Sequence, residues 1–205
     1  MKKNRLFLLL LCFVICVSFL AGCGKKEPAD IPQKPVTEEN TETSIKLDIF
    51  PMNMVFSSGS GGWRTQITLK DDGTFVGDYY DSELGSSGPG FEYTVYICEF
   101  YGKYEITKQI DDYSYSLNFT EVTAQKDKDT QWIDDSIKYV YSEPYGVIKG
   151  TEYILYTDAT PVEVLSDDIL MWWPHRYNYK EDNINTLSCY ALYNETDSIG
   201  FFSIE

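Results

Sequence analysis

Cys12, Cys16, Cys23, Cys98 and Cys189 are the cysteines of this 205-residue chain, and His175 is its single histidine. That inventory narrows the chemistry at once. Nucleophilic hydrolysis needs a base beside its nucleophile. The lone imidazole sits in Trp172-Trp173-Pro174-His175-Arg176, and no Gly-x-Ser-x-Gly elbow occurs. His175 therefore reads as a loop residue with a local hydrogen bond. A phosphate-cradling loop should open a helix, whereas Gly59, Gly61 and Gly62 precede a strand-like run at Trp63. No cofactor and no metal site is expected.

Carboxylates are abundant, with 32 acidic against 17 basic side chains. A glycan hydrolase needs only two of them facing a cleft, so that reading stays open as an alternative, with no pair singled out. Asp78, Asp81 and Glu83 gather before a glycine-bearing loop at 82–90, which includes Gly85, Gly88 and Gly90. Hard oxygen ligands could hold calcium there, but the Asp-x-Asp-x-Asp-Gly spacing is missing, so a solvated acidic loop or a mobile lid fits better. Asp127, Asp129, Asp134 and Asp135 read as solvated in the same way. A net charge of -15 argues against nucleic acid as a partner.

Aromatics are the most suggestive group. Trp63, Phe75, Tyr79, Phe91, Tyr93, Tyr104, Tyr113 and Tyr115 fall at alternating positions. They either fill a β core or line a barrel cavity for a small apolar or amphipathic ligand. Trp172 and Trp173 offer a surface platform for a sugar or a partner, or else anchor a helix. Cys98 and Cys189 lie in strand-like runs and are a candidate disulfide pair. Two separate buried thiols are the equal alternative, because spacing cannot show whether the α-carbons approach.

The elements that must position these residues follow from period-two patterning. In 63–70, Trp63, Thr65, Ile67 and Leu69 share one face and Arg64, Gln66, Thr68 and Lys70 the other. Asp72-Gly73 then predicts a two-residue type I′ hairpin turn into 74–80. Further strands are expected over 91–100, 102–108, 113–122, 137–141 and 153–156, with a closing hairpin from 187–193 and 198–204. Thr160-Pro161-Val162-Glu163 fits a capping box, and Ser166-Asp167-Asp168 a second helix start, before Pro174 stops the chain. The fold class is mainly β: a single antiparallel barrel or sandwich over 46–205, with one or two short helices near 161–173.

The N-terminus is of another kind. Lys2, Lys3 and Arg5 precede an apolar run over 6–21 and the sequence Leu20-Ala21-Gly22-Cys23. That order describes a secretory signal peptide, and its ending resembles the lipobox of bacterial lipoproteins. The resemblance implies cleavage after 1–22, acylation of Cys23 and anchorage to the outer side of a bacterial cell membrane. Cys12 and Cys16 would leave with the signal peptide. Residues 24–45 hold Pro28, Pro32 and Pro35 and no aromatic. They read as a disordered tether spanning roughly 25 Å. Removing signal and tether leaves 11 basic and 27 acidic side chains on 46–205.

Two further resemblances concern the domain. Gly61-Gly62-Trp63 opening a strand, then a meander and a late helix, resembles the lipocalin-like barrels. The segments 56–63, 81–86, 96–100 and 141–146 resemble uncharacterised secreted or lipid-anchored proteins of Gram-positive bacteria, which implies an address and no activity. The functional expectation is a membrane-anchored, non-catalytic β-barrel that binds a small ligand or an envelope partner. An interaction module of an envelope assembly is the neighbouring alternative.

Overall fold

The computed structural model describes residues 45–204. The segment 1–22, Cys23 and the tether up to residue 44 lie outside the described residues. The domain is built from β1 (Met52–Ser57), β2 (Trp63–Leu69), β3 (Thr74–Glu83), β4 (Tyr93–Gln109), β5 (Ser114–Ala124), β6 (Gln131–Asp134), β7 (Ile137–Tyr141), β8 (Glu152–Tyr156), β9 (Ala191–Asn194) and β10 (Ile199–Ser203). Pairing runs β1-β2-β3-β4-β5-β8-β9-β10 and returns to β1, all antiparallel, so these eight strands close a barrel. This is the up-and-down barrel that the lipocalin-like resemblance implies, and the sandwich alternative falls away. β7 and β6 hang outside the ring: β7 pairs in parallel with Tyr93–Ile97 of β4, and β6 pairs with β7.

Alternation places the core. Met52, Met54 and Phe56 of β1 and Thr65, Ile67 and Leu69 of β2 are buried, while Asn53 and Arg64 are exposed. Their partners inside are Phe75, Cys98, Phe100, Leu117, Phe119, Tyr153, Leu155 and Phe201, in one contiguous apolar cluster. An eight-stranded barrel has an interior just wide enough for side chains to fill. Two inward glycines make the fit possible. A Cβ on Gly77 would lie 2.6 Å from the Phe100 ring, and one on Gly102 would lie 1.8 Å from the Glu121 carbonyl oxygen. The sequence pattern divides the stretch around Gly102 into strands over 91–100 and 102–108. Gly102 instead lies within one 17-residue strand, whose register slips at two bulges against β5.

The Asp72-Gly73 turn is a correction. Gly73 N–H donates to Lys70 C=O at 3.2 Å and Lys70 N–H to Thr74 C=O at 2.9 Å. Gly73 has φ +78°, whereas Asp72 is absent from the left-handed region. The loop is therefore three residues long, a type I turn closed by a left-handed glycine. Asp72 turns inward on the loop instead, accepting hydrogen bonds from Thr74 N–H and Oγ1.

The segment 160–174 behaves as expected in outline. A 3-10 turn spans Val162–Val164 and α1 spans Asp167–Trp172. Neither expected cap forms: Pro161 and Ser166 are the N-caps, and neither first turn has a side-chain cap bond. α1 lies outside the barrel, where Ile169 and Trp173 pack with Val162, Leu165, Leu187, Ala191, Tyr193 and Phe202. This second cluster buries the outer face of β9 and β10. All four residues of β9 are buried as a result, and its sequence is continuous rather than alternating.

Both barrel ends are covered. At one end Ile45 N–H donates to Ile106 C=O at 3.0 Å, and Leu47, Ile49 and Phe50 pack on the core. At the other, the connection 142–151 crosses the opening and buries Val147. Tyr153 Oη donates to Gly146 C=O and accepts from Ile148 N–H, and Thr65 Oγ1 donates to Tyr145 C=O.

Candidate functional site

The second end carries a group of aromatic and acidic side chains that reaches the surface. β1 runs toward it from Met52 to Ser57, and the pairing of Ser57 with Arg64 and of Trp63 with Asp81 marks its rim. Asp81 is in turn opposite Tyr96. Residues opposite one another in a ladder share a face, so Trp63, Asp81 and Tyr96 form one row across three strands. Tyr79 stands one step deeper, opposite Thr65 and Cys98.

Tyr145 completes the group. It is 46% exposed, and its ring lies 5.3 Å from Trp63 and 5.3 Å from Tyr79, centroid to centroid. Phe56 backs it at 5.7 Å, and Trp172 closes the side against Phe56 at 4.9 Å and Trp63 at 6.2 Å. Tyr145 was missed in the sequence pattern because it lies in a connection rather than a strand. The Pro144-Tyr145-Gly146 run was its only signal, and Gly146 adopts φ +81° where a Cβ would press on Phe56.

Phenol–carboxylate pairs line the rim. Tyr79 Oη donates to Asp81 at 3.3 Å and Tyr96 Oη to Glu83 at 3.2 Å. Burial raises the pKa of both phenols above the ordinary tyrosine value, and the neighbouring carboxylates add to the shift. They stay neutral donors at any physiological pH. Aromatic faces beside acceptor oxygens suit a sugar ring or an organic cation. Asp81 and Glu83 are two residues apart on one strand. They project side by side on one face of the strand.

The other sequence candidates scatter. Phe75 and Tyr104 are buried within the barrel core, and Trp63, Tyr79 and Tyr115 are partly buried against it. Phe91 lies under the Lys138 ammonium near β6, Tyr93 pairs with Ile137, and Tyr113 is 38% exposed. The eight alternating aromatics therefore do not line one cavity. Trp63 and Tyr79 alone meet at the rim.

Asp78 forms an ion pair with Arg64 at 3.6 Å. It is three residues from Asp81 and so on the opposite face of β3. Among the described residues no group of three His, Cys, Asp or Glu side chains converges on a metal-sized point. The 82–90 loop folds on itself: Gly88 and Phe91 exchange backbone hydrogen bonds, and Ser86 N–H donates to Glu83 C=O. Gly90 takes the left-handed conformation and Gly85 faces open space.

Three further expectations resolve clearly. Trp173 is fully buried and its Nε1 donates to Leu187 C=O at 3.2 Å, so it anchors α1 and is no platform. Trp172 is half-buried, with an indole N–H that finds no partner. Cys98 and Cys189 are separate free thiols, one in the barrel core and one against the outer cluster. His175 is exposed and packs edge-on to Trp173 at 5.4 Å.

A scan of protein-family models, a search of curated proteins and a search of solved structures each find no match to this chain.

Proposed function

We propose that this chain is a lipid-anchored extracytoplasmic lipoprotein whose barrel is a non-catalytic binding domain, with its ligand or envelope partner held at the aromatic and acidic rim. The observation carrying this is the placement of two features at opposite ends of the barrel. Ile45, where the tether joins, lies beside Ile106 at one end. Trp63, Tyr79 and Tyr145 lie at the other. A tether from Cys23 would join the domain at the end opposite the rim and leave the rim clear of the attachment point. The domain's acidity would keep it off anionic headgroups. With the barrel interior occupied by packed side chains, recognition falls to the outside of the closed end.

Two measurements test the reading. Metabolic acyl labelling and fractionation should place the wild-type chain in the membrane. Cys23→Ala should lose the label and keep its full precursor length; normal processing of that variant refutes the anchor. Native mass spectrometry against glycan and metabolite extracts of the cell envelope should then show a retained component. Tyr145→Ala and Trp63→Ala should lose it while keeping the wild-type fold. Equal retention by all three proteins removes the rim from the reading.

A further inference from the structure

The barrel has no edge, but the domain does. β6 has a strand neighbour on one side only, and it is the one such strand among the described elements. Such an edge is a template for another strand unless it is blunted. Its register shows which groups are free. Asp134 pairs with Ile137 around the turn Asp135-Ser136, whose φ values of 46° and 64° make it a two-residue turn of type I′. In that hairpin the pair flanking the turn exchanges hydrogen bonds and the next pair does not. Trp132 is thus bonded to Tyr139, while the N–H and C=O of Ile133 and of Gln131 point to the open side.

A pocket lies along the same edge. Phe91, Gln131, Trp132, Ile133 and Lys138 line a concavity of about 430 Å³, and Ile133 is 51% exposed. Trp132 is pinned by stacking on Tyr139 at 5.2 Å. The nearby lysines are already engaged. Lys126 sits over Trp132 at 4.7 Å, Lys128 pairs with Glu143 at 2.9 Å, and Lys138 sits over Phe91 at 5.5 Å. Asp127 and Asp129 before the strand, Asp134 at its end and Asp135 in the turn are exposed and make no ion pair among the described residues.

We infer that β6 accepts an added β-strand from a basic partner polypeptide, with an apolar side chain seated in the Phe91–Ile133 pocket. Backbone bonds to Gln131 and Ile133 would hold the strand, and the pocket and flanking aspartates would select it. A second copy of this chain does not fit. Antiparallel self-pairing of Ile133 with Gln131 would bring Asp135 of each copy against Asp129 of the other, and like charges opposed across a sheet are destabilising. The inference is independent of the rim and of the anchor.

The test uses the full chain in detergent with an extended peptide that alternates lysine and valine. Hydrogen exchange read at single residues should show the amides of Gln131 and Ile133 slowed by at least about tenfold on binding, because edge amides open to water become bonded. Those of Trp132 and Asp134 should not change. Binding should weaken as salt screens the aspartates, and a peptide with glutamate in place of lysine should not bind. Ile133→Pro removes an outward N–H and should abolish binding. Asp134→Asn with Asp127→Asn should weaken it, and this pair leaves the hairpin backbone untouched. Unchanged exchange at Gln131 and Ile133 overturns the inference. So does equal binding of the glutamate peptide, or a concentration-dependent dimer that protects the edge without any peptide.

Discussion

The phenol of Tyr153 donates a hydrogen bond to the carbonyl of Gly146 at 2.9 Å, tying a barrel strand to the connection that covers the barrel end. The same oxygen accepts from the Ile148 amide. Tyr153 is fully buried, so one hydroxyl satisfies two backbone groups that would otherwise lack a partner. Tyr153→Phe should cost about 1–3 kcal/mol, the penalty for leaving buried polar groups unpaired. The midpoint in urea should fall with an unchanged slope. Hydrogen exchange should quicken at Ile148 more than in β2.

Glycine substitutions should divide sharply. Gly102→Ala forces a Cβ onto the Glu121 backbone and the Phe75 ring, and backbone cannot swing aside. A loss of about 1–3 kcal/mol or more is expected. Gly85→Ala meets nothing within 4 Å and should change stability by less than about 0.5 kcal/mol. Thermal unfolding of the two variants beside wild type makes the comparison.

The adjacent tryptophans should also part company. Trp173→Ala empties a fully buried site and should cost about 3–5 kcal/mol. Trp172→Phe keeps an aromatic face against Phe56 and removes an indole N–H that has no partner. It should cost under about 1.5 kcal/mol. Equal losses in chemical denaturation would contradict the two environments.

Both thiols are held protonated. Burial pushes Cys98 and Cys189 up to about 11, with nearby carboxylates adding to the rise. Alkylation at neutral pH, mapped by peptide mass, should leave positions 98 and 189 unmodified in the native protein. It should reach both once the protein is unfolded, with no reductant needed.

The same groups set an alkaline limit. Burial also raises the phenols of Tyr79 and Tyr104, and that of Tyr156 to about 12. A raised folded-state pKa means that the unfolded chain loses its proton first. Stability is therefore full below about pH 9, the ordinary thiol range, and falls as pH climbs through the thiol and phenol range toward the folded values. Urea unfolding at pH 7 and pH 10.5 should show the lower midpoint at the higher pH.

Much of this architecture was legible in the residues. The alternation in 63–70, the closing hairpin at 187–204 and the short helices before Pro174 each follow from local sterics and from the period of side chains along a strand. Those rules act over a few residues, so the sequence by itself determined the fold class, most of the strands and the site of the hairpin at Asp72-Gly73, though not that turn's type. β1 escaped notice even though Met52, Met54 and Phe56 alternate. β6 was lost among aspartates because four residues carry too short a pattern.

Tertiary structure decided the rest. Alternation says that Phe75 and Tyr79 face inward together. Whether inward means core or rim depends on how far each lies from the barrel end, and that is set by strand register and shear. Trp172 and Trp173 are neighbours in sequence. One bridges to Phe56 and Trp63 while the other is sealed under Leu187, because consecutive residues leave a helix about 100° apart. Tyr145 joins Trp63 and Tyr79 from a loop more than sixty residues away, held by Thr65 and Gly146. Contacts of that separation carry no periodic signal, so closing the barrel alone could place them.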